Sequence, residues 1–118
     1  MGDERLSDIV KQLEVVHGRK AMFAGSNSSS AMSAYLSGYR SAIAAFGVPL
    51  PHAIRQSVTE ERGWMGSAEV WPMSEMRERG LADEAIADEM LAIDIAAWQR
   101  VATGTGSAGL LLNESRGD

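Results

Sequence analysis

The 118 residues, 45% hydrophobic and 23% charged, suffice for one domain with its own core and lie far from the composition of a disordered chain. A net charge of −5, from 16 acidic and 11 basic residues, argues against direct nucleic-acid binding, which needs clustered cations to displace counterions. Cysteine is absent, which removes disulfides, thiol nucleophiles and cysteine metal ligands and fits a reducing, cytoplasmic setting.

Residues 1–5 are acidic and hold no apolar core segment, so they do not read as a signal peptide. No apolar run approaches the length of a membrane span. Residues 3–17 read as a first helix, with Leu6, Ile9, Val10, Leu13 and Val16 on one face at steps of three and four. Gly18 is placed to end it, and His17, Arg19 and Lys20 put positive charge at its C-terminus. Residues 19–29 read as a connector. Its centre, Ala21 to Ala24, is expected to plug into the core, and its serines offer several N-caps.

Residues 30–46 form a strongly periodic helical segment, expected to organise the fold. Met32, Tyr35, Leu36, Tyr39, Ile43 and Phe46 share one face. Ala31, Ala34, Gly38, Ala42 and Ala45 occupy another. Small side chains at that spacing predict close packing against a helix of the same chain, with Gly38 at the nearest approach; a dimer seam is the alternative. Val48-Pro49-Leu50-Pro51 is a stiff turn into a third helix over 51–62, stopped at Gly63. Trp64 to Pro72 shows no clear period. There Glu69 to Trp71 is expected to be extended, because the residue before a proline avoids the α region. A short helix over 74–79 ends at Gly80. The second strong helix, 83–101, opens on Asp83 and carries Ile86, Met90, Ile93, Ala97, Trp98 and Val101 as its stripe. The domain is thus assigned to residues 1–103, with 104–118 a flexible tail containing Gly and Ser.

No chemistry declares itself. Gly104, Gly106 and Gly109 have dinucleotide-loop spacing but follow a helix rather than a strand. His17 and His52 do not form a ligand pair at helical spacing, and no serine sits in a nucleophile elbow. No catalytic residue, cofactor or metal is therefore expected. The most suggestive feature is acidic. Asp83, Glu84, Asp88, Glu89 and Asp94 stand against one basic residue, Arg100, in the last helix, and lie largely off its apolar stripe. They read either as a solvated face or as a docking surface for a protein with a basic surface. Trp64 and Trp71 are its candidate anchors, since exposed tryptophan often anchors interfaces.

The run Gly18 to Ser26, then Tyr35-Leu36-Ser37-Gly38-Tyr39, then Gly63-Trp64, resembles a loose family of small bacterial proteins. That family carries an Arg-Pro-x-Met-Tyr-x-Gly-like segment, a Phe-Leu-x-Gly-Tyr helix, a later Gly-Trp and a final acidic-apolar helix. Lys20 stands here in place of the proline and Phe23 in place of the tyrosine. The likeness spans about residues 18–101. It implies the helical fold, and for function an immunity-type role beside a toxin.

The reading is therefore an all-α, single-domain bundle of four to five helices packed around residues 30–46. The expected function is a non-enzymatic module that docks on and inhibits or modulates another protein. The alternatives are a structural or regulatory homo-oligomer, such as a homodimer, and a small enzyme or ligand-binding domain with an aromatic pocket near Met22, Phe23, Tyr35, Tyr39 and Trp64.

Overall fold

The computed structural model describes residues 4–64 and 72–103, which form six helices and no strand. They are α1 (Glu4–Gly18), α2 (Lys20–Ala24), α3 (Ser29–Ala45), α4 (His52–Glu61), α5 (Pro72–Glu78) and α6 (Asp83–Ala102). Five coincide with the predicted segments to within two residues at each end. The sixth, α2, lies where a connector was expected. It ends at Gly25, while Met22 stands largely exposed and Phe23 and Ala24 are half-buried, so the segment leans on the core rather than filling it. Gly18 does not end α1 as expected, since helix persists through it and the break falls at Arg19. Trp71, the Glu69–Trp71 segment and residues 104–118 lie outside the described residues.

The helix at the centre is α6, not α3. α1, α3, α4 and α5 all pack against it, whereas α1 and α3 scarcely touch each other. The reason is circumference. α6 offers Ile86, Ala87, Met90, Leu91, Ile93, Ala97 and Trp98 over most of its surface, and all are buried. At about 1.5–3 kcal/mol for each large apolar side chain removed from water, this is the main source of cohesion. α3 buries only Ser29, Met32 and Leu36. α1 contributes the expected stripe, Leu6, Ile9, Leu13 and Val16.

Helix ends fix how the chain turns. After α3, the Gly47 amide donates to the Ala44 carbonyl and the Val48 amide to the Ile43 carbonyl, with Gly47 at φ 93°. After α4, Gly63 at φ 97° does the same, with the Trp64 amide donating to the Thr59 carbonyl. In this C-terminal motif the residue after the left-handed glycine folds back onto the last turn. Val48 and Trp64 are both buried as a result.

α3 runs parallel to α6 in one register. Ser29 meets Asp83 and Arg40 meets Asp94, each pair 54 residues apart in sequence. The two contacts are eleven residues apart along each helix, which is three turns and so returns to the same face. α1 runs antiparallel to α6, since His17 and Lys20 near its end meet Asp88 near the start of α6. Among the described residues no helix is long and apolar enough to cross a membrane.

Candidate functional site

The acids of α6 sit along one helix, and each reaches a different neighbour. Asp83 occupies the first turn of α6 and accepts from the Ser29 backbone amide at 2.9 Å and from its hydroxyl at 2.6 Å. Ser28 caps α3 from its own side, accepting from the Ala31 amide at 3.1 Å. The N-terminus of α3 is thus satisfied partly by its own serine and partly by α6. Arg77 of α5 joins at 3.2 Å. The Ser29 hydrogen bonds, with Arg77 behind them, hold the Asp83 carboxyl below the usual carboxylate range.

Glu84 and Asp88 flank Lys20 of α2, whose ammonium lies 2.7 Å from Asp88 and 3.8 Å from Glu84. Glu89 accepts two bonds from Arg62, at 2.6 and 2.9 Å, and one from the Trp64 indole at 2.9 Å. The Arg62 hydrogen bond is the main cause of its lowered pKa. The Trp64 ring also lies under the Arg79 guanidinium, 4.9 Å from its centroid.

Asp94 departs most from expectation. It is fully buried rather than off the stripe, and it accepts from Arg40 of α3 at 2.6 Å and Arg55 of α4 at 2.9 Å. A buried carboxylate persists only when cations and donors replace its water, and the two guanidiniums do this. Arg40 is the only charged residue in α3. Trp64 likewise departs from the exposed-anchor expectation, being 8% exposed. The structure therefore spreads the predicted patch among α2, α3, α4, α5 and the turn after α4, where its charges cross-link the bundle. Two sequence signals foretold this: the matched eleven-residue spacing of Ser29 and Arg40 against Asp83 and Asp94, and the Gly63-Trp64 pair, whose glycine turns the tryptophan inward.

The other side of α3 also differs from expectation. Ala34, Gly38, Ala42 and Ala45 are exposed, and no atom lies within 4 Å of the position a Gly38 Cβ would take. The small-residue face packs on nothing in the described residues. Phe46, expected in the core, is 78% exposed. It fails to reach the core because α3 ends at Ala45 and the chain reverses at Gly47, sending Val48 inward in its place.

Phe46 stands at the mouth of a groove of about 370 Å³ between α1 and α3. Its walls are Ile9, Tyr39, Ile43 and Val48, and Arg5, Asp8 and Gln12 form the rim. The groove exists because both helices pack on α6 and leave a seam between them. Tyr35 and Tyr39 stack with ring centroids 6.0 Å apart, and Phe23 lies 6.5 Å from Tyr35. Burial raises both phenol pKa values. Trp64 belongs to the Glu89 and Arg79 cluster, so the expected aromatic pocket is not assembled as one site. A second cleft of about 330 Å³ exposes Ala92, Ile95 and Ala96 of α6 between Glu14 and His17 on one side and Arg62 on the other. Among the described residues, no three His, Asp or Glu side chains are grouped to hold a metal ion.

No family model matches the chain, and neither a curated protein nor a solved structure matches it.

Proposed function

We propose that this chain is a non-enzymatic protein-binding module that modulates a partner by docking through the groove between α1 and α3. The observation that carries this reading is Phe46, a large apolar side chain 78% exposed beside an apolar groove. Exposing such a group beside an unfilled seam keeps apolar surface in water, and a partner's side chain removes that cost. The groove is open along its length, which suits a protein segment better than an enclosed small molecule. The fitting occupant presents an apolar side chain to Ile9, Ile43 and Phe46, with an anion for Arg5 and a cation for Asp8.

The α6 acids are the weaker docking candidate. Lys20, Arg40, Arg55, Arg62 and Arg77 already compensate them, so a basic partner gains little there. Inhibition of a toxin-like or defence protein is one form this docking takes, and self-association is the second reading.

The test places a photo-crosslinking amino acid at position 46, with position 78 on exposed α5 as control, in cells that naturally make the protein. A discrete protein-sized adduct from 46 but not from 78 is expected, and Phe46→Asp should weaken binding of the recovered partner at least tenfold. Equal labelling from both positions, or binding indifferent to Phe46→Asp, refutes the reading.

A further inference from the structure

The groove carries a specific prediction about what fills it. Its rim bears one cation and one anion on the same helix, Arg5 and Asp8, three residues apart and so neighbours on one face of α1. A two-fold axis across this face sets α1 antiparallel to its copy and brings each Arg5 to the other's Asp8. The rim is therefore complementary to itself, which a two-fold interface requires. The apolar part has the same property. Phe46 projects at the mouth of a groove walled by Ile9, Tyr39 and Ile43, so knob and hole lie side by side on one surface.

Charge also selects among occupants. The chain is acidic, and two copies repel unless they meet where neither is charged. Apart from Arg40, which turns in to Asp94, α3 carries no charge, so its outer face beside the groove is neutral over the whole helix. No other helix of comparable length has this property: α1 and α6 both carry several exposed charges.

We infer that the groove is filled by a second copy of this chain, in a two-fold dimer that seats each Phe46 in the partner's groove and pairs Arg5 with Asp8 across the axis. This rests on the docking reading and names its occupant. One groove and one helix face bury of the order of 1,000 Å² in total, the low end for specific association, so the dimer is weak and forms at micromolar concentration.

Sedimentation equilibrium from about 1 to 300 μM tests it, with circular dichroism confirming the fold of each variant. The wild-type mass should rise from 12.7 kDa toward twice that value. Phe46→Glu should hold it at 12.7 kDa throughout. Arg5→Glu and Asp8→Arg should each weaken association about tenfold, and the double variant should regain most of it. This rescue matters because Arg5 also donates to the Phe46 carbonyl at 3.5 Å, and a mere folding defect would not be repaired by Asp8→Arg. A wild-type chain monomeric at 300 μM overturns the inference, as does a dimer that survives Phe46→Glu. A crosslinked partner of different sequence at position 46, with a monomeric purified chain, overturns the dimer and leaves the docking reading standing.

Discussion

α3 and α6 are parallel, in register and of similar length, 17 and 20 residues, and both are rich in alanine and methionine. One is wrapped by neighbours and the other is covered on a single side. The difference lies in what flanks the apolar stripe. α6 adds Leu91 and Ile93 beside Ile86, Met90 and Trp98, and so attracts helices from several directions. α3 has serine, glycine and alanine there, which attract nothing within the chain and repel little outside it. The wrapped helix spends its charges on holding neighbours, while the half-covered one keeps a neutral face for something else. Alanine content alone did not distinguish these fates, because alanine packs at either a buried or an exposed helix face.

The contrast breaks most severely at Asp94. Asp94→Ala leaves two largely buried guanidiniums without a counter-charge, and urea unfolding should show a loss of about 3–5 kcal/mol. On the covered side of α3, Leu36→Ala removes a fully buried side chain and should cost about 2–4 kcal/mol by the same measurement. Ala42→Ser on the open side should change stability by less than about 0.5 kcal/mol in the monomer, since the site is exposed.

A smaller effect concerns the periphery of α6. Glu89 has a native pKa below its ordinary value because Arg62 and Trp64 donate to its charged form. A depressed carboxylate pKa contributes stability above the unfolded value, and that stability is lost as pH falls through the native one. The wild type should therefore lose stability below about pH 4, and Arg62→Met should flatten that slope in acid titrations followed by circular dichroism. The smallest effect has the opposite sign. Gly38→Ala meets no atom within 4 Å and replaces glycine inside a helix, so it should raise stability by about 0.5–1 kcal/mol. A loss on this substitution in dilute solution would mean that the α3 face is covered after all.

Helix positions were legible because periodicity and end signals are local. Gly47, Gly63 and Gly80 close their helices where expected, each at positive φ. The candidate site was less legible. Glu84 and Asp88 are half-exposed or exposed, as a face off the apolar stripe should be, whereas Asp94 and Trp64 turned inward. Periodicity assigned Asp94 to the outside because it treats each helix as having one buried side, and α6 has several. Phe46 misled for the mirror reason, since its helical phase was right but the helix stopped one residue short of it.

The sequence by itself determined a six-helix chain without cysteine, with most helix boundaries and the stripes of α1 and α6, because those follow from interactions within a few residues. Only the tertiary structure decided which helix is central, which acids become internal cross-links and which face of α3 stays open. Those outcomes depend on contacts between residues 39 to 54 positions apart, such as Arg55 and Arg40 with Asp94. Each such contact is set by the register of whole helices, which no local pattern encodes.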